Sequence, residues 1–304
     1  MRVSLKDWLF RAHVLLAMTF LCIFSTTLAE DRKVLIVSID GLRPDVLLRS
    51  EAPFIRSLMK RGSFTFHAQT TDVAITLPSH TTMLTGVPPS VHGVTWNDDR
   101  YTKVPHYPSM PTIFTYAKQA GHTTALIAGK SKFVSLAQPG SLDWQFIPTT
   151  THVSDEIVAQ KAEQIIKDHQ PDLSFVHFPH VDIVGHDVGW GSDEQVQAIH
   201  VADALVGSVV NTFERMVGSR EYLIMVSSDH GGSGTSHDGA DPRSLAVPLL
   251  IVGTKVPAHF DLTLNRSRIG IEDIFMTASQ FLGLHPGAVA GRVLSFAPTE
   301  KASK

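Results

Sequence analysis

The chain has 304 residues, 43% of them hydrophobic and 18% charged, with a formal net charge of -3. This length suits one large α/β domain with ample core, and the near-neutral balance gives no support to a nucleic-acid surface, which normally shows a basic excess. Sixteen histidines against a single cysteine direct the search to His/Asp metal ligands.

Arg2, Lys6 and Arg11 precede an apolar run from Val14 to Phe24, and Thr27-Leu28-Ala29 offers small residues for cleavage. That is the pattern of a secretory signal peptide over residues 1–29. The run is shorter than the roughly 20 residues a membrane span needs, so cleavage is expected to leave an exported chain, 30–304, with no stable membrane anchor. Cys22 leaves with the leader. The mature chain then has no disulfide and relies on core burial and bound metal.

Lys33 to Asp40 is a continuous β-branched and apolar run, the pattern of a strand buried on both faces of a parallel sheet. Asp40 falls at its carboxyl end, where open α/β sheets gather ligands; a turn Asp before Gly41 is the other reading. A helical stretch from Pro44 to Arg61 and a short strand from Ser63 to Gln69 lead to Thr76. Pro78 suits the first turn of a helix that Gly86 ends, which puts Thr76 just before a helix N-terminus. Unpaired N–H groups there favour phosphate or an alkoxide, although a plain N-cap is the competing role for that threonine. Asn97 lies in the polar loop that follows.

Met110 to Ala120 reads as a helix and Thr123 to Ala128 as a second buried strand. Lys130 and Lys132 come next, either reaching an anion or standing as solvated loop charges. Ser154 to Gln170 is an amphipathic helix. Leu173 to Phe178, a third buried strand, runs into Asp182 and His186, whose spacing of four brings both side chains to one side. Their neighbours His180 and Asp187 read as structural. The long helix from Asp193 to about Met216 carries an apolar stripe and serves packing. Tyr222 to Val226, the fourth buried strand, ends in Asp229 and His230 on a Gly-rich turn that lets both point at one ion. His237 follows in a polar segment, Val247 to Val252 supplies a further strand, and Ile271 to Leu282 a C-terminal helix. This alternation predicts a single doubly wound domain over 30–304.

Asp40, Asp182, His186, Asp229, His230 and His237 together suffice to hold two divalent ions beside the Thr76 hydroxyl. The ordered set resembles the type I phosphodiesterase/nucleotide pyrophosphatase branch of the alkaline phosphatase superfamily, across nearly all of the mature chain. Val-Ser-Ile-Asp40-Gly-Leu-Arg-Pro-Asp resembles the family's first metal motif. Thr76-Leu-Pro-Ser-His, followed by Leu-Thr-Gly and later His-Gly, resembles its nucleophile motif, with Asn97 at the family's distance beyond. Asp182-Ile-Val-Gly-His186 matches the middle motif, Ser-Asp229-His230-Gly the next, and His237 takes the place of the last ligand.

The resemblance implies a three-layer α/β/α sandwich around a mostly parallel sheet, and a hydrolase acting on small phosphorylated substrates. It implies one zinc on Asp40, Thr76, Asp229 and His230 and a second on Asp182, His186 and His237, ligand types that also admit manganese. Thr76 would form a phosphothreonine intermediate that water releases. Asn97 and the N–H after Thr76 would hold a non-bridging oxygen. Two features depart from this branch. Ser79 stands where the nucleotide pyrophosphatases usually have Asn. Lys130-Ser-Lys132 is more like phosphonoacetate hydrolase and the threonine-using alkaline phosphatases, in which a basic pair contacts the substrate's anionic groups. Such a pair favours a dianionic monoester or a carboxylated phosphonate over a diester, so diester and monoester selectivity both stand. No Cys-x-Pro-x-Arg or Ser-x-Pro-x-Arg segment supports a sulfatase. A catalytically silent binding protein is the reading from another class, and the intact ligand set argues against it.

Overall fold

The apolar run that starts at Lys33 becomes the middle of the sheet. In the computed structural model, which describes residues 31–239, 241–265 and 268–296, the strands are β1 (Arg32–Ile39), β2 (Ser63–Gln69), β3 (Thr124–Ala128), β4 (Trp144–Phe146), β5 (Leu173–Phe178), β6 (Glu221–Ser227), β7 (Ala246–Gly253) and β8 (Phe260–Asp261). They form one sheet in the order β4-β3-β5-β1-β6-β7-β2-β8. The expected leader over 1–29, with Cys22, lies outside the described residues.

The helices that bear on the site are α1 (Pro44–Arg49), α2 (Pro53–Arg61), α3 (Thr76–Thr85), α4 (Ile113–Gln119), α5 (Asp155–His169), α6 (His180–Val188), α7 (Asp193–Val217) and α8 (Glu272–Phe281). Strand residues alternate between two buried clusters. In β1, Val34 and Ile36 pack with α3, α4 and α8, while Leu35, Val37 and Ile39 pack with α1, α2, α5 and α7. None of these five is more than 1% exposed, and burying one such side chain contributes about 1.5–3 kcal/mol. Apolar residues at successive positions are therefore what a strand covered on both faces requires, and the result is the three-layer α/β/α architecture.

Every neighbouring pair of strands is parallel except those of β7, which runs against both β6 and β2. The reversal has a functional consequence. The chain leaves β6 and enters β7 at the same edge of the sheet, so the segment between them stays at that edge and carries His237 beside Asp229 and His230. The helical stretch expected over 44–61 is two helices instead. Pro53 cannot continue a helix and disfavours helical backbone at the residue before it, and Ala52 is accordingly non-helical at φ -126° and ψ 68°. The first N–H groups of α2 are satisfied from outside: Phe54 and Ile55 donate to the Asp203 carboxylate of α7.

Gly41 makes the turn that follows β1. Its φ is +71°, and a Cβ there would come within 2.9 Å of the Asp182 Cα. Left-handed backbone costs a residue with a Cβ about 1–2 kcal/mol, and the contact would also push Asp182 away from Asp40. Gly41→Ala is expected to lower the melting temperature by about 4 °C or more and to reduce any bound divalent metal, which calorimetry and elemental analysis will measure.

Candidate active site

The strand ends and the loops beyond them bring the six Asp/His residues read from the sequence into two groups. Asp40, Asp229 and His230 form one; Asp182, His186 and His237 form the other; within each, the candidate ligand atoms lie within 4.8 Å of one another. The first group is fully buried, while His186 opens the second to solvent. The spacing of four between Asp182 and His186 does fall on a helix, α6. His180 and Asp187 are exposed beside it, and His180 contributes only a backbone N–H, to Asp155.

Hydrogen bonds fix which nitrogen of each histidine faces the site. Nδ1 of His186, His230 and His237 lies 3.0, 2.8 and 2.7 Å from the carbonyls of Thr235, Gly231 and Ala74. A carbonyl only accepts, so each Nδ1 carries the proton and each Nε2 presents a lone pair. Those lone pairs meet other lone pairs. His186 Nε2 lies 3.2 Å from His237 Nε2. His230 Nε2 lies 3.3 Å from Asp40 Oδ1 and 3.2 Å from Asp229 Oδ2. His186 Nε2 is 3.5 Å and His237 Nε2 3.8 Å from Asp182 Oδ1. Asp40 Oδ1, Asp182 Oδ1 and Asp229 Oδ2 are buried without any hydrogen-bond donor, a costly arrangement for carboxylates. Acceptors converging on acceptors fit cations placed between them, and the mix of carboxylate and imidazole suits zinc or manganese.

The electrostatics agree. Burial, reinforced by the Asp40 and Asp182 carboxylates, pushes Asp229 well above the ordinary carboxylate range. Burial also opposes ionisation of Asp40, but Lys130 and the hydrogen bond from His177 outweigh it and hold that carboxyl well below the usual range. Burial, followed by the neighbouring His230, brings His237 down to about 4, and burial likewise depresses His230. Both rings are thus neutral ligands at neutral pH.

Thr76 is the first residue of α3, and Ile75 is its N-cap. The threonine is therefore one position further into the helix than the sequence suggests, and it is not a capping residue. Its Oγ1 lies 3.4 Å from His230 Nε2. Asn97 Oδ1 accepts the Leu77 N–H at 2.9 Å. That arrangement corrects one expectation: the N–H after Thr76 is already donated to Asn97, which leaves the Asn97 Nδ2 as the remaining donor of that amide for a substrate oxygen. The lysines differ from expectation too. Lys130, 7% exposed, directs its ammonium at two carboxylates, 2.8 Å from Asp40 Oδ2 and 2.6 Å from Asp182 Oδ2, so in this structure it pairs with candidate ligands rather than standing open as a substrate contact. Lys132 donates to the backbone carbonyl of Asn97. Ser79 is buried behind the site, within reach of the Thr70 and Thr71 hydroxyls.

Three further residues shape the site. His177 donates from Nε2 to Asp40 Oδ2 at 2.9 Å, and its Nδ1 and carbonyl share the Gly129 N–H; a histidine inside a fully buried strand whose one other polar residue is Ser174 was the signal for it. His80 accepts from the Ser38 hydroxyl through Nε2 and donates from Nδ1 to the Thr76 carbonyl, so it ties the Thr76 segment to β1. Trp190 donates from Nε1 to the Gly41 carbonyl at 2.8 Å and sets its edge against His186. A Cβ at Gly185 or Gly232 would come within 2.8 or 2.3 Å of that indole, which explains glycine at both places.

The sequence matches the family model described as Type I phosphodiesterase / nucleotide pyrophosphatase over residues 34–247. It is 27% identical over 220 residues to an uncharacterized pyrophosphatase/phosphodiesterase of Schizosaccharomyces pombe, covering 67% of this chain and 45% of that protein. It is 26% identical over 223 residues to human bis(5'-adenosyl)-triphosphatase ENPP4, covering 68% and 49% respectively. The chain thus spans about half the length of these curated relatives. Among solved structures, an inactive variant of murine ENPP5 in complex with AMP superposes with a TM-score of 0.71 at 18% identity, over 86% of this chain and 97% of that one.

Proposed function

Because the chain belongs to the type I phosphodiesterase/nucleotide pyrophosphatase family, whose model matches residues 34–247, we propose that it is an exported, two-zinc phosphodiesterase that cleaves nucleotide-like substrates through a phosphothreonine on Thr76. The observation that carries this reading is the convergence of unpartnered carboxylate oxygens and imidazole lone pairs beside the Thr76 hydroxyl. Asp40, Asp229 and His230, with Thr76, would hold one ion; Asp182, His186 and His237 would hold the other. When bound, the two ions supply Lewis acidity that lowers the pKa of a hydroxyl and stabilises a departing oxygen.

The chain's own residues do the rest. Thr76 is 1% exposed and fixed at the first position of α3, so its oxygen is presented with little freedom and few competing waters. The positive end of α3 faces the transferred group. Asn97 Nδ2 donates to a non-bridging oxygen, and its orientation is set by the Leu77 N–H. Lys132, on the Asn97 carbonyl, places positive charge behind that amide. Export rests on the leader pattern of residues 1–29.

The diester is favoured over the monoester for a charge reason. A dianionic monoester calls for cations beyond the metals, and Lys130 is committed to Asp40 and Asp182. The solved ENPP5 relative in complex with AMP supports a nucleotide as the group recognised. The test is kcat/KM of the zinc-loaded chain for thymidine 5'-p-nitrophenyl phosphate against p-nitrophenyl phosphate. The expected ratio favours the diester by at least about tenfold. A ratio favouring the monoester makes the protein an alkaline phosphatase-like or phosphonoacetate hydrolase-like enzyme in which the lysines read substrate charge. Turnover of neither substrate, together with zinc uptake, leaves the silent binding protein.

A further inference from the structure

Lys130 stands where its charge meets both groups of candidate ligands. Its ammonium bridges the two groups, on Asp40 Oδ2 in one and Asp182 Oδ2 in the other, and the same Asp40 oxygen also takes the His177 N–H. The outer oxygens of both carboxylates are thus satisfied, while both Oδ1 atoms are left without donors and face the imidazole lone pairs. The backbone at this point cannot drift. Gly129 N–H donates to the His177 carbonyl, and Ser131 N–H to that of Thr151. Three buried carboxylates, Asp40, Asp182 and Asp229, lie in these two groups, and the buried Lys130 ammonium contacts the first two.

We propose that Lys130 is a positioning residue that acts as a built-in placeholder cation: it holds the carboxylates of both metal groups together before metal arrives and confines each to one ligating oxygen. Removing one partner of a buried ion pair leaves the other charge uncompensated, which is strongly destabilising. The cost of losing Lys130 therefore falls on the metal-free protein. Zinc replaces the missing charge, so the loaded protein is largely spared. By linkage, what destabilises the metal-free state tightens metal binding. A lysine that only contacts substrate has none of these effects.

This inference rests on the metal-site reading above, and the experiment separates the two. Wild type, Lys130→Met, Lys130→Arg and Lys132→Met are stripped with chelator. Each is then assayed for melting temperature with and without zinc, for zinc stoichiometry, and for zinc affinity by competition with a chromophoric chelator. Metal-free Lys130→Met is expected to melt about 10 °C or more below metal-free wild type. Most of that gap is expected to close with zinc, and zinc affinity to rise by about tenfold at each of the two sites. Lys130→Arg, which keeps the charge, is expected to recover much of the stability; Lys132→Met, whose lysine touches neither carboxylate, to show no loss confined to the metal-free form. Equal melting temperatures for the metal-free Lys130→Met and wild-type chains overturn the proposal, and a raised KM for substrate would then return Lys130 to a substrate contact. A Lys130→Met chain that stays unfolded even with zinc overturns it as well, because zinc would then fail to stand in for the ammonium. If the wild-type chain itself takes up no zinc, the metal reading fails and the placeholder with it; normal zinc uptake without the metal-free defect removes the placeholder alone.

Discussion

Thr76→Ala is expected to lower kcat/KM by at least about 10^4-fold while leaving the fold and most of the bound zinc in place. The size follows from chemistry: among the described residues no other hydroxyl contacts His230 Nε2 as Thr76 does, and alanine offers nothing for phosphorus to bond. The mildness on structure follows from position. Thr76 is not the N-cap of α3, so no helix-capping bond is lost. Its hydroxyl makes one long contact, 3.4 Å to His230 Nε2, and alanine is at home in a helix. The melting temperature is expected to shift by no more than about 4 °C, the equivalent of about 1 kcal/mol in a chain of this size. Thr76→Ser, which keeps the oxygen, is the control and should retain a measurable share of turnover. A labelled phosphoenzyme trapped at low pH in the wild type and absent in Thr76→Ala would identify the intermediate. Wild-type-like activity in Thr76→Ala removes the nucleophile assignment and leaves the metal groups standing.

The candidate ligands were legible as residue types in place, whereas their division into two groups, and His237 as the last of them, came from the family resemblance. Asp40 and Asp229 end apolar strands, where a charge has no packing role, and Asp182 and His186 share a helix face. The directions of the side chains beyond them were not legible. Whether Lys130 turns to substrate or to Asp40 and Asp182 depends on which buried oxygens still need a donor, and that is a property of the assembled site. Asn97 hides in the same way: its role at the start of α3 comes from a residue twenty positions away, Leu77. The antiparallel course of β7 is similarly invisible, since a strand buried on both faces reads the same in either direction. Pro53 was a different case. It carries a sufficient reason for the break between α1 and α2, which the reading of 44–61 as one helical stretch passed over.

The second large effect concerns metal and pH together. The stabilisation that zinc confers is expected to be small near pH 4 and to grow toward neutrality. At zinc concentrations near one hundred times Kd it should reach about 2.7 kcal/mol, or a rise of about 5 to 10 °C in melting temperature. The sign can be worked out group by group. His237 titrates near 4 in the fold, against an ordinary histidine value of 6.5. Below 6.5 the unfolded chain therefore binds a proton that the metal-free fold does not, and the metal-free fold loses stability as pH falls from 6.5 through about 4. Asp229 works in the opposite sense. Its carboxyl is raised well above the usual range by burial and by Asp40 and Asp182, so the metal-free fold holds a proton the unfolded chain has released, and this group costs stability as pH rises above its ordinary value. Metal turns that cost into a contribution, since a divalent ion requires Asp229 ionised and His230 and His237 neutral. All three conditions are met more fully as pH rises, so the difference between loaded and stripped protein must widen in that direction even though the stripped protein alone feels opposing trends. Melting curves of the two forms at intervals from pH 4 to 8 measure it directly. A zinc effect independent of pH would mean that protons and metal do not compete for Asp229, His230 and His237, and would remove these residues as ligands.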